Sequence, residues 1–268
     1  MEKKHNSMYR SAVTLIPWII PVIFMTTWII ISETGFIPAY LLPHPMEIGK
    51  AGYTYIFDHP GDAPFAGRFL NDAGASLIRV GSGFAFAVIF GLPLGTISGR
   101  LSLVRKLMST TINALRAVPG ISWLPVAMIW FGIGIKTTVF LVALAAFFPI
   151  YLNAVAGARQ VNPLLLQAGA MMGIKRLRGT FFILLPGAMP HIMTGLRLGL
   201  GISWAYLVLG ELTGVPNGLG AVIMDARMLG RIDIIIVGII IIAIMGRLSD
   251  YLLTTALKCC FKSAGRMS

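Results

Sequence analysis

The side chains that could do chemistry in this chain are few. Most are arginines and acids standing in or beside long apolar runs. Arg116 comes just before Pro119, Gly120 and Pro125, and Arg197, Glu211, Arg247 and Asp250 follow in later runs. An ionisable group at membrane depth is costly and is therefore a functional candidate by default. Arg116 could neutralise an anion in transit, or it could snorkel or pair between helices. Arg197 reads as an interfacial anchor. Glu211 reads as a partner for an outer base or for a protein met outside. Arg247 and Asp250, three residues apart, read as a pair with each other. Trp123, Trp130 and Trp204 could line a polar route, or they could serve packing and interfacial belts. His191 is most simply a polar helix start.

Other chemistries lack their residues. No G-x-x-x-x-G-K-[ST] loop is present to cradle nucleotide phosphates. No nucleophile–histidine–acid set can be assembled. His44 and His59, the second beside Asp58, sit in a Pro-rich stretch without metal-ligand spacing and read as loop polars. Cys259 and Cys260 are adjacent at the end of the last apolar run, which argues against a structural disulfide. An integral membrane enzyme would show clustered His, Asp or Glu. A self-powered secondary carrier would show acidic or His relays in mid-span, and none is evident.

One polar interruption is written as a short helix. Asn162 can cap it, Pro163 suits its first position, and Gly173 suits its C-terminal stop. The spacing predicts a helix over about 163–173. Leu164, Ala168, Met171 and Met172 fall on one face, with Leu165 and Gln167 to its sides. Lys175, Arg176 and Arg178 follow and complement the helix C-terminus. Such a helix either lies on lipid headgroups or is offered to a partner.

The elements that must hold these residues are membrane helices. The 268 residues are 56% hydrophobic and 12% charged, with a mean hydropathy of +0.82, whereas soluble domains carry about 25% charged residues. A hydrocarbon core ~30 Å thick needs about 20 apolar residues per helix. Six runs qualify: Val13 to Ile31, Leu77 to Ser98, Leu107 to Phe131, Thr137 to Ala156, His191 to Leu209 and Ile234 to Leu253. Pro and Gly interrupt the third and fifth. With six spans the basic clusters fall on one side: Lys3, Lys4 and Arg10; Arg100, Arg105 and Lys106; Arg159, Lys175, Arg176 and Arg178; Lys258, Lys262 and Arg266. The positive-inside rule makes that side, and both termini, cytoplasmic. The net charge of +12 is thereby a topology signal, not a sign of nucleic-acid binding.

The first run is longer than a signal-peptide core and lacks a small-residue cleavage site, so it reads as a retained span. Residues 1–32 form a tail and first span, 33–76 an outer loop, 77–257 a five-helix core, and 258–268 a cytoplasmic tail. Within the outer loop, Asp62 to Leu77 could hold a short surface helix. Gly91, Gly95 and Gly99, like Gly195 and Gly199, recur every four residues. Small residues at that spacing let helix backbones approach closely in lipid.

The loop Gln167-Ala168-Gly169, three residues, Gly173, nine residues, Ile183-Leu184-Leu185-Pro186 resembles the cytoplasmic loop of membrane subunits of ABC importers that work with substrate-binding proteins. Their pattern is Glu-Ala-Ala, three residues, Gly, nine residues, Ile-x-Leu-Pro. Gln167 stands for the Glu and Gly169 for the second Ala, which removes a charged contact and keeps a hydrogen-bonding one. Arg116 to Pro125, Ile129 to Gly134, Leu185 to Trp204 and Gly218-Leu219-Gly220 resemble the subfamily importing sulfonates, taurine, nitrate or bicarbonate. The likeness covers roughly residues 77–256.

The resemblance implies an all-α integral membrane protein of about six transmembrane helices with the MetI-like fold of type I ABC importer permeases. It implies a multi-pass protein of the bacterial cytoplasmic membrane that carries a small organic anion, sulfonate or taurine, inward. Nitrate, bicarbonate or a small heterocycle are the alternatives. It implies a homodimer, two ABC ATPase subunits that hold ATP and Mg, and a periplasmic or lipid-anchored binding protein. This chain itself would bind no cofactor or metal and hydrolyse nothing. Leu164, Gln167, Ala168, Gly169, Met171, Met172, Gly173, Ile174, Lys175 and Arg176 would meet the ATPase subunit. Arg116, Pro119, Trp123, Trp204 and Glu211 are the candidates for lining the pathway.

Overall fold

The computed structural model describes the backbone of residues 2–260 and the side chains of residues 17–175 and 178–259. Lys3, Lys4, Arg10, Arg176, Cys260, Lys262 and Arg266 therefore lie outside the described side chains. The helices in chain order are α1 (Glu2–Glu33), α2 (Pro45–Phe57), α3 (Phe69–Arg100), α4 (Ser102–Ala117), α5 (Trp123–Phe131), α6 (Ile135–Gln160), α7 (Pro163–Met171), α8 (Arg176–Gly179), α9 (Leu185–Glu211), α10 (Leu219–Met228) and α11 (Ile232–Cys260). Among the described residues, four long helices are apolar enough to cross a membrane, or five with α4 and α5 counted as one bent span. The expected first span begins among residues whose side chains are not described, and its remainder forms the apolar helix Pro17–Glu33.

Contacts divide the chain into two units, residues 1–67 with 225–237, and residues 68–224 with 238–268. In the first, the helix of the outer loop forms earlier than expected. It is α2, because His44 and Pro45 start it: the His44 ring Nδ1 accepts the Met46 N–H at 3.2 Å, and proline suits the first turn; residues 69–77 of the expected stretch are helical too, as the opening of α3. Ile48, Ala51 and Tyr55 form its buried stripe. The Trp28 indole donates to the Pro43 carbonyl at 3.2 Å. Arg231 holds Asp233 through its Nε and Nη2, and that hydrogen bond raises the guanidinium's pKa above the usual arginine value.

The second unit is built on α6. One side receives α3, where a Cβ at Gly95 would lie 2.6 Å from the Tyr151 carbonyl oxygen and one at Gly99 2.8 Å from that of Val155. The other receives α9, where Gly195 would meet the Pro149 carbonyl oxygen at 3.0 Å and Gly210 the Thr138 backbone at 2.9 Å. The four-residue glycine spacing is thus a pair of backbone-to-backbone seams, as lipid-phase packing requires. Ala87, Ala146, Ile150, Ala188, Ile192 and Leu196 fill the core between them.

Prolines shape the remaining helices. Pro119 cannot donate to the Leu115 carbonyl, and the preceding Val118 takes an extended conformation (φ −73°, ψ 120°). The expected third span therefore breaks: α4 and the segment 120–131 meet at 82°. Pro186 acts more gently. Its ring disfavours the ordinary bond to residue 182, and Thr180–Leu184 widens into a π turn, with the Leu185 N–H donating to Thr180. The helix then runs on through Pro190 to Glu211.

Candidate functional site

The short helix forms as its caps require. The Asn162 side chain accepts the Leu164 N–H at 2.9 Å, Pro163 opens the helix, and Gly173 closes it at φ +81°. Four apolar side chains at its two ends point away from the rest of the chain: Leu164 and Leu165 are 66% and 56% exposed, Met171 and Met172 89% and 79%. Gln167, Ala168, Gly173 and Lys175 are exposed as well. Gly169 and Ile174 are placed differently from the expectation. Gly169 is buried, because the helix rests there: a Cβ would come 2.5 Å from Ile183 Cδ1 and 3.6 Å from Ile174 Cδ1. These residues seat the helix on the π turn, Gly169 buried and Ile174 half-buried. Leu166 completes the seat against the core.

The break in the third span makes a cavity of 450 Å³ lined by Arg116, Pro119, Gly120, Trp123, Phe148 and Tyr206, among others. Three of the five pathway candidates thus meet at one place. Gly120 belongs there for a steric reason, since a Cβ would overlap the Tyr206 ring. Tyr206 is a site residue that residue type alone did not single out. Its signal was position, on the α9 face that meets the broken helix. The cavity offers an exposed guanidinium, an indole and a phenol on an otherwise apolar wall. An anion could meet charge there without a second charge to trap it.

The other two candidates lie elsewhere. Trp204 is 4% exposed, and its indole donates to Ser249 Oγ at 2.9 Å, tying α9 to α11. Glu211 is fully buried. It pairs with Arg79 at 2.6 Å and accepts from Ser76 Oγ at 2.8 Å. Arg79 also donates to the Asn217 carbonyl and side chain. The backbone N–H groups that open α10 complete the cluster: Gly218 donates to Asp72, Leu219 to Ser76 and Gly220 to Glu211, at 3.0, 2.9 and 2.8 Å. Orphan donors of a helix start are here satisfied by buried acids and a hydroxyl. Gly218 stands at φ +133°, where a Cβ would lie 2.5 Å from Glu211 Oε1. Glu211 is thus a fastening, not a pathway wall. Arg79 and Ser76 are the side-chain partners its sequence reading lacked.

Arg197 is likewise no simple anchor. Its Nε and Nη2 donate to the two Asp250 oxygens at 2.8 and 3.0 Å, while Arg247 reaches Asp250 at 3.3 Å. The carboxylate expected to pair along α11 pairs first across to α9. Among the described residues, no three His, Cys, Asp or Glu side chains gather as a metal site.

Residues 91–255 match the family described as the inner membrane component of binding-protein-dependent transport systems. The chain belongs to that family. Among similar proteins, the taurine transport system permease protein TauC of Escherichia coli is 34% identical over 85% of this chain and 82% of its own length. A putative aliphatic sulfonates transport permease of Bacillus subtilis is 32% identical over 87% and 81%. The nitrate import permease NrtB of Synechocystis is 31% identical over 78% and 76%. A chain from the inward-facing MetNI methionine ABC transporter superposes with a TM-score of 0.61, covering 74% of this permease and 96% of that chain at 17% identity. The permease therefore has the helical fold of an ABC importer membrane subunit, and α7, the broken span and the Glu211 cluster all fall within or beside the matched region.

Proposed function

We propose that two copies of this permease form the membrane pathway of an ATP-driven importer in the bacterial cytoplasmic membrane. Two separate ATPase subunits hold ATP and Mg, and a binding protein outside delivers a small organic anion, a sulfonate such as taurine first among candidates. The chain has no nucleotide loop of its own, so the energy enters through α7. ATP-driven closure of the ATPase pair moves α7 as a lever, and two discrete states of the pathway follow.

The observation that carries this reading is the outward apolar face of α7 on a helix seated at Gly169. Leu164, Gln167, Ala168, Met171, Met172, Gly173 and Lys175 are the contacts offered to the ATPase subunit. Arg116, Pro119, Trp123 and Tyr206 supply the anion's path at the broken span. The similarity to taurine, sulfonate and nitrate permeases supports an anionic cargo, with nitrate the second choice.

The test is co-purification of the permease with a co-expressed ABC ATPase subunit from the same genome, before and after deletion of residues 164–172. The expected result is lost association with intact membrane insertion. Undiminished association by the deletion variant overturns the assignment of α7. Full-speed taurine or nitrate uptake by vesicles holding the permease alone overturns the whole scheme.

A further inference from the structure

Arg197 and Arg247 stand near the middle of two long apolar helices, where Asp250 joins them in one charged group. At 1.5 Å per residue, Arg197 lies about 25 Å from Thr180 and about 21 Å from Glu211 along its helix. Arg247 lies about 22 Å from Ile232 and about 20 Å from Cys260 along α11. With these helices centred in a hydrocarbon core ~30 Å thick, each guanidinium would lie about 10 Å or more from either interface, farther than the side chain reaches by snorkelling.

The group is not neutral. Asp250 gives both oxygens to Arg197, and Arg247 holds only a shared contact to one of them at 3.3 Å. Two cations against one anion leave a surplus of one positive charge in each copy. That surplus sits on Arg247, whose side chain is 77% exposed. An uncompensated cation at this depth does not face lipid; it faces the interior of a bundle or a water-filled cavity. The bundle interior of this chain lies against the other side of α9, where Ile192, Gly199 and Ser203 are buried.

The exposed face of α9 continues the same surface. Thr194, Arg197, Gly201 and Ala205 recur along it and are all exposed, and a Cβ at Gly201 would meet nothing within 4 Å. Ile202 and Tyr206 on this helix line the Arg116 cavity, about 8 Å beyond Arg197 along the axis for Ile202. We propose that the Arg197–Asp250–Arg247 face lines the aqueous middle of the translocation route, and that Arg247 is a second station for an anionic solute there. Its forked donors suit the oxygens of a sulfonate or carboxylate. Asp250 holds Arg197 in place and keeps the site to one net charge, attractive without being a trap. This rests on the reading of the chain as an importer permease.

The test uses full-length permease in cell membranes, with Cys259→Ser and Cys260→Ser removing its own thiols. Ala243→Cys, one turn from Arg247, is compared with Leu252→Cys on the far side of α11. The probes are two methanethiosulfonates, one carrying a sulfonatoethyl group and one a trimethylammonioethyl group. The expected result is reaction at Ala243→Cys and not at Leu252→Cys, with the anionic probe about tenfold faster than the cationic one once each rate is divided by that probe's rate with a free thiol in solution. Arg247→Gln should bring that ratio near unity, and Arg247→Lys should keep most of it. No reaction at Ala243→Cys, as when a second copy or lipid covers the face, overturns the proposal. So does a ratio that Arg247→Gln leaves unchanged. Association with the ATPase subunit is measured on the same membranes. Its absence counts against the importer reading and leaves the probe ratio readable.

Discussion

Arg79 and Glu211 face one another inside the second unit, both essentially without solvent exposure. Breaking such a pair by removing one partner costs about 3–5 kcal/mol, because the other charge stays buried, whereas replacing both with apolar residues is often neutral. Arg79→Met or Glu211→Leu alone should lower the thermal midpoint of the detergent-purified permease. The double variant should recover most of the loss. A double variant as unstable as the sum of the two singles would show that the charges are needed for more than each other. The sequence displayed half of this cluster. Glu211 was visible as an acid ending an apolar run, but Arg79, three residues into its own run, passed as part of the flank. Pairings 132 residues apart leave no local pattern. The same holds for Arg197 and Asp250, 53 residues apart: the three-residue spacing pointed to Arg247, while the better geometry lay across helices. Trp204 teaches a related point, since an aromatic type in a span says nothing about which face it takes.

At the scale of elements, local chemistry was legible where the backbone itself is the subject. Asn162, Pro163 and Gly173 placed α7 to within about two residues, because caps act over one turn. The prolines of the third span announced a disruption, yet its angle depends on what α5 packs against. The bend, and with it the cavity beside Tyr206, stayed hidden. Gly169 is the sharpest case. It looked like an outward contact and is the seat. The atom closest to an added Cβ is the tip of the flexible Ile183 side chain, so Gly169→Ala should keep ATPase association within about twofold. Gly169→Leu overpacks the seat at a cost of about 1–3 kcal/mol and should weaken association by about tenfold or more. Pull-down of the ATPase subunit over a concentration series reads both. Equal binding by both variants would mean that α7 does not depend on this seat.

For the whole molecule, the glycine spacing announced close helix packing but not the partner. The structure supplies α6 as the common partner of α3 and α9. Orientation was argued from charge alone and can be checked directly. In the thiol-free background, Lys175→Cys should be labelled by an impermeant maleimide only in inverted vesicles, and Lys136→Cys, at the start of α6, only in intact spheroplasts. The reverse pattern would invert the topology and place α7 outside the cell, out of reach of any ATPase.

The opening turn of α10 lays three peptide N–H groups across side chains from two different spans, Asp72 and Ser76 from α3 and Glu211 from α9. To part those spans at that end, all three bonds and the ion pair beneath them must be given up together. The pair is stapled and must swing as a single wall. Motion that opens a way for a solute then falls to the parts outside that staple, the joint at Val118 and Pro119 among them.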